Sequence, residues 1–229
     1  MEMKKNRELR ALALKELKGN WSDPVLAGFV YLLLACVSSF LTNFGNIYDR
    51  ITGDQHQIVF FTASIGFFYT LFFLVPLAYG MYIVFLKFYR GDKVDCLSKL
   101  FDTFKVYGRA LGIGLLVSIY TLLWMLLLIV PGIIKSYAYG MSYFILHDHP
   151  EMSVDEAIDA SIVMMKGYKM KLFLLDLSFI GWCFLSVLSA GIGFLWVFPY
   201  YSVARVAFYE NLKELRNSEI SGEAAPIAE

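Results

Sequence analysis

Six apolar stretches run along the chain, separated by short segments in which charged residues concentrate. They cover Val25 to about Leu41, Ile58–Leu86 interrupted by Pro76, Ala110–Val130, Ile133–His147, Leu172–Ala190, and Ile192 to about Glu210. About 20 helical residues, each rising ~1.5 Å, cross the hydrocarbon core of a bilayer, so each stretch reads as a candidate transmembrane helix. The fourth is short and Tyr-rich, and a re-entrant or interfacial helix is its alternative. Between these stretches the pattern changes to the helical repeat of an amphipathic surface. Leu9, Leu12, Ala13 and Leu17 form one stripe within Met3–Lys18, and Leu97, Leu100, Phe101 and Phe104 another within Asp92–Tyr107. A third follows a capping box at Ser153 and Glu156, carried by Ala157, Ile158, Ser161, Ile162 and Met165. Such stripes, flanked by Lys, suit helices lying at headgroup level.

The fold predicted from this alternation is all-α and polytopic, with six transmembrane helices arranged as three hairpins, each preceded by an amphipathic interfacial helix. Residues 1–216 form one membrane domain and 217–229 a flexible tail. Pseudo-repeats span about 1–90, 91–148 and 149–210. Similar local patterns close each amphipathic segment (Lys18-Gly19-Asn20-Trp21, Lys105-Val106-Tyr107-Gly108 and Lys166-Gly167-Tyr168-Lys169), and Pro76, Pro131 and Pro199 mark the second helix of each pair.

Composition agrees. Of 229 residues 58% are hydrophobic and 17% charged, against ~25% charged in soluble domains, and the mean hydropathy is +0.58. An ordinary soluble enzyme and a disordered tail protein are excluded. Acidic and basic residues balance at twenty each, so no nucleic-acid partner is implied. Their placement is uneven. Lys4, Lys5, Arg7, Arg10, Lys15 and Lys18 precede the first span, and Lys87, Arg90, Lys93, Lys99, Lys105 and Arg109 separate the second from the third. Lys166, Lys169, Lys171, Lys213 and Arg216 fall on the same side, whereas Arg50 alone lies opposite. By the positive-inside rule both termini are cytoplasmic. Leu33-Leu34-Ala35-Cys36 faintly resembles a lipoprotein cleavage box, but cleavage there would remove the first span, so an uncleaved helix is expected. Cys36, Cys96 and Cys183 form no CxxC pattern and read as buried, inert thiols.

Candidate chemistry is sparse. His147-Asp148-His149 is the one metal-like cluster, with His56 too far away to join it; a polar helix end before Pro150 explains it without a metal, and no metal or cofactor is assigned. Gly108–Gly112 and Ser136–Gly140 are small-xxx-small patterns that suit close helix packing. Three charges fall within spans: Lys135, Asp176 and Arg205. Asp176 and Arg205 are equidistant from the Ala190-Gly191 turn, so antiparallel helices place both at one depth, ~7–8 Å inside the membrane, where a salt bridge between them is expected. Lys135 is a candidate polar pathway or interface residue.

Pro131-Gly132-Ile133-Ile134-Lys135, Glu156-Ala157-Ile158, Met164-Met165-Lys166-Gly167, Phe179-Ile180-Gly181-Trp182, and Gly191-Ile192-Gly193 leading to Trp196 and Pro199-Tyr200 resemble a bacterial membrane family catalogued as domain of unknown function 975. A fainter likeness is to the membrane portion of some glycerophosphodiester phosphodiesterases. The resemblance implies a six-helix protein of the bacterial plasma (inner) membrane and supplies no activity. The functional expectation is a non-enzymatic protein that organises membrane or binds lipids or a protein partner, including a second copy of itself. The alternative is a small-solute or ion permease using Asp176, Arg205 and Lys135.

Overall fold

Apolar residues repeating at helical spacing, with Pro and Gly as the punctuation, produce a bundle whose regular structure is entirely helical among the described residues. The computed structural model describes residues 3–52, 57–92 and 95–223. In chain order the helices are α1 (Asn6–Leu17), α2 (Ser22–Thr52), α3 (Gln57–Tyr69), α4 (Val75–Tyr89), α5 (Cys96–Asp102), α6 (Tyr107–Leu127), α7 (Ile129–Ala138), α8 (Ser142–Asp148), α9 (Val154–Met164), α10 (Lys169–Leu177), α11 (Ile180–Leu188) and α12 (Phe194–Glu223). A π-helical turn, Thr70–Leu74, joins α3 to α4, and a 3-10 turn, Thr103–Val106, joins α5 to α6.

Four helical stretches among the described residues are long and apolar enough to cross a membrane: Ser22–Ile51, Ile58–Tyr89, Cys96–Leu127 and Lys169–Leu188. Their outward faces are apolar. Leu126, Leu127, Leu128, Ile129 and Val130 form one continuous exposed run at the α6–α7 turn. In water such a surface would aggregate; lipid is its natural solvent. This is a membrane protein.

The six-span expectation divides here. The fourth expected span, Ile133–His147, falls on α7 and α8, which a turn at Tyr139–Met141 separates. Ser161 of α9 closes that break: its hydroxyl donates to the Ala138 carbonyl at 2.7 Å and accepts the Met141 N–H at 3.2 Å. The sixth expected span lies in α12, a 30-residue helix with Pro199 inside it and charged residues from Arg205 onward. Neither stretch meets the length and apolarity of the other four. α12 also continues to Glu223, past Arg216 where the domain was expected to end. Arg216 holds that segment by pairing with Glu219 at 2.8 Å and donating to the Val163, Met164 and Lys166 carbonyls at the end of α9.

The three amphipathic segments are helical, with their stripes turned inward to differing degrees. Leu9, Ala13 and Leu17 of α1 are fully buried, and α1 packs on α12. α9 carries the capping box as read from sequence, Ser153 N–H to Glu156 Oε2 at 2.7 Å and Glu156 N–H to Ser153 Oγ at 3.3 Å. The second segment is shorter than expected: Asp95 caps α5 through the Leu97 N–H at 3.1 Å, and the 3-10 turn leads straight into α6. Leu100 is buried, Phe104 stacks near Phe73 at 5.4 Å between centroids, and Phe101 stays exposed.

Irregularities along α3–α4 have a local cause. Pro76 has no N–H for the Phe72 carbonyl one turn back, and the Tyr107 hydroxyl of α6 supplies the missing donor at 2.9 Å. Where α2 and α3 cross, a side chain on Gly66 would lie 2.9 Å from the Thr42 backbone nitrogen, and one on Gly45 2.6 Å from the Val59 Cα. Glycine lets these backbones touch.

Candidate functional site: a tyrosine-lined cleft

Six helices, α6 among them through Val117, and one helix break converge on a cleft of about 380 Å³. α10 contributes Asp176, α12 Arg205, α7 Ser136 and Tyr137, the break Tyr139 and Gly140, α8 Tyr143, and α4 Tyr82. Gly140 makes room for the arginine, since a Cβ there would sit 3.1 Å from Arg205 Nη2. Tyr82 and Tyr143 stack at 4.5 Å between centroids and form one wall. A smaller cavity of about 140 Å³ shares Tyr82 and Arg205 and is otherwise mostly aromatic and aliphatic, with Tyr31, Phe85, Phe144 and Phe198.

The two charges predicted to pair both line one cleft. They do not form the expected salt bridge. Tyr201, one turn before Arg205 on α12, intervenes: Arg205 Nη1 donates to its hydroxyl at 3.3 Å and the guanidinium stands 5.7 Å from its ring centre. Asp176 Oδ1 and Arg205 Nε are nevertheless buried with no hydrogen-bond partner among the described residues. Equal sequence distance from a turn fixes depth, not rotation, so it leaves open which way each side chain faces.

Lys135 is not part of this cleft. Its ammonium lies 4.6 Å from the centre of the Trp124 ring on α6, a cation–π contact within the α6–α7 hairpin. Of the small-xxx-small glycines, Gly140 faces Arg205, a Cβ on Gly112 would make ordinary contact with Val154 at 3.4 Å, and one on Gly108 would meet nothing within 4 Å. Cys36 is exposed, correcting the reading of a buried thiol, because the face of α2 that carries it is turned outward; Cys96 is buried and Cys183 half-buried.

His147-Asp148-His149 holds something the sequence did not announce. Asp148, its side chain 6% exposed, accepts both Arg90 Nη1 at 2.8 Å and Nη2 at 2.7 Å, Lys213 Nζ at 2.5 Å and the Tyr209 hydroxyl at 2.9 Å. Arg90 also donates to Glu210 at 2.7 Å. This latch ties the ends of α4 and α8 to α12. Burial pushes the Asp148 carboxyl up, but the hydrogen bonds from Arg90, Lys213 and Tyr209 outweigh it and hold the group below the ordinary carboxylate range. His149 pairs with Glu151 at 3.1 Å instead. No group of three or more His, Cys, Asp or Glu suited to a metal occurs among the described residues, and His56 lies outside them.

The family model described as protein of unknown function (DUF975) matches residues 1–136 and 125–216. No curated protein and no solved structure matches the chain.

Proposed function

The chain belongs to the DUF975 family of proteins of unknown function, and from its cleft we propose a non-enzymatic membrane protein that holds the zwitterionic headgroup of a membrane lipid between Asp176 and Arg205. The observation that carries the reading is the pair of orphaned atoms. Asp176, one of whose carboxylate oxygens lacks a donor, and Arg205, whose Nε lacks an acceptor, both line one tyrosine-rich cleft. Leaving such groups unmatched costs ~1–3 kcal/mol each, more when charged. A ligand with an N–H-bearing ammonium and a phosphate satisfies both. A phosphoethanolamine headgroup has that chemistry; a choline headgroup has no N–H to give.

The reading takes α7–α8 and the first half of α12 as the two remaining crossings, giving three hairpins, each after an amphipathic helix, in a bacterial inner membrane. A broken helix at membrane depth is tolerated where it lines a protein cavity, and the Tyr139–Met141 break does so. The Lys and Arg distribution supports cytoplasmic termini, which puts the cleft in the inner leaflet.

Native mass spectrometry of the detergent-purified chain, equilibrated with equal amounts of phosphatidylethanolamine and phosphatidylcholine, tests this. Phosphatidylethanolamine should be retained about tenfold better, a difference of ~1.4 kcal/mol. Asp176→Asn should erase the preference and Arg205→Gln should weaken retention of both lipids. Equal retention by the native protein, unchanged by Asp176→Asn, would refute the assignment. The helix break favours one other reading, a permease for a zwitterionic solute; saturable glycine uptake by proteoliposomes, lost in Asp176→Asn, would select it.

A further inference from the structure

A second cleft, about 320 Å³, opens between α4, α5, α6 and α8 and shares no lining residue with the first. Lys87, Lys99, Lys105, Arg109 and His147 all line it, and Asp102 is its one acidic residue. We propose that this cleft binds a phosphomonoester dianion, a site separate from the Asp176–Arg205 cleft and independent of its assignment.

The charges do not cancel. Asp102 alone answers two ammonium groups, Lys99 at 2.9 Å and Lys105 at 2.7 Å. Lys87 makes no ion pair among the described residues. Arg109 donates to the carbonyls of Leu146, His149, Pro150 and Met152, which fix its guanidinium in place without neutralising it. Four cations thus face one carboxylate, on four separate elements that converge on a single concavity. Lysines on a merely solvated surface spread apart; convergence of like charge raises the local potential and draws a counter-anion. A single carboxylate would leave most of that charge unanswered, whereas a dianion offers several oxygens to donors arriving from different directions. Ile83 and Leu146 add an apolar wall, so the phosphate can belong to a lipid such as phosphatidic acid or to a soluble ester. Basic pockets between transmembrane helices are a recurrent setting for anionic headgroups.

Two arms separate these sources, both on the full chain in phosphatidylcholine nanodiscs. Calorimetric titration with inorganic phosphate reads the soluble anion. Native mass spectrometry from nanodiscs carrying 5% phosphatidic acid (about one lipid in twenty, to keep bulk charge low) reads the lipid. Binding in either arm supports the site and names the source. The double variant Lys87→Gln, Lys105→Gln should weaken it at least tenfold, while Asp102→Asn, by releasing two lysines, should tighten it severalfold. That gain cannot come from misfolding. Raising the salt concentration should weaken the soluble anion's binding, as screening requires. Asp176→Asn should leave both arms unchanged, which keeps failure here distinct from failure of the lipid-headgroup assignment. Absence of binding in both arms, or Asp102→Asn binding no more tightly than the native chain, overturns the proposal.

Discussion

Replacing Asp148 with Asn keeps the shape of the side chain and removes its charge from a site where four hydrogen bonds converge. The amide also turns one acceptor into a donor facing Arg90 or Lys213. Removing one partner of a fully buried ion pair costs ~3–5 kcal/mol, and hydrogen bonds to charged groups contribute ~1.5–3 kcal/mol each. Two features reduce that loss here. The Arg90 and Lys213 side chains are 32% and 33% exposed, so both can rehydrate, and Glu210 still holds Arg90. The net destabilisation expected is ~2 kcal/mol, which at ~2–4 °C per kcal/mol for a chain of this length lowers Tm by ~4–8 °C. Cys96 supplies the assay. It is buried at 4% exposure, so with Cys36 and Cys183 replaced by Ala a thiol-reactive dye reports its release on heating in detergent. Asp102→Asn, which removes pairs whose carboxylate is 32% exposed, is the control, with a Tm change under ~2 °C. The pH dependence has a definite sign. A carboxylate held below its unfolded value contributes fully above ~3.9 and loses that contribution as pH falls further, so the gap between native and Asp148→Asn proteins stays constant from pH 7 to 5 and closes only below ~4. A variant within 1 °C of the native Tm (about 0.3–0.5 kcal/mol), or a gap already closing above pH 5, would show that the latch does not carry this stability.

Two shorter predictions concern the spans. Tyr107→Phe strands the Phe72 carbonyl freed by Pro76 and should lower Tm in the same assay by a few degrees, from ~1–2 kcal/mol; an unchanged Tm means the carbonyl finds another donor. In a chain without its native cysteines, Asn46→Cys should react with an impermeant thiol reagent on intact cells and Ser153→Cys should not; the reverse pattern would sink the six-span topology with cytoplasmic termini.

Local features were legible because their causes are local. Ser153 and Glu156 cap α9 through bonds spanning three residues, and the α1 stripe buries as its spacing demands. Pro76 announced an irregular helix, but nothing near it in sequence named Tyr107, 35 residues from Phe72, as the compensating donor. Asp148 stood within a conspicuous triplet, yet its partners Arg90, Tyr209 and Lys213 lie 58, 61 and 65 residues away. Asp176 and Arg205 were read as a pair at one depth; both line one cleft, but the side-chain hydrogen-bond partner of the guanidinium is the Tyr201 hydroxyl.

The deeper reason is the solvent. In water, a helix declares its inner face by being apolar there and polar outside; in lipid both faces are apolar and the contrast vanishes. Leu74 and Leu77 are buried while Phe67 and Phe68, a few residues earlier and equally apolar, face outward. Hydrophobic pattern therefore finds the helices of this chain and says little about how they turn. Rotation is recorded instead by the few residues that lipid cannot accommodate unpaired, and by the glycines that permit contact. Gly140 beside Arg205, Gly66 beside Thr42 and Ser161 across the Tyr139–Met141 break each fix one helix face against another. Most polar groups in the bundle are satisfied by such packing. Asp176 Oδ1 and Arg205 Nε are not, and neither are Arg10 Nε, Asn211 Nδ2 and Arg216 Nε; of these residues Asp176 and Arg205 line one cleft of ligand size, so a modest side-chain rearrangement on binding gives their unmet groups partners on an entering molecule.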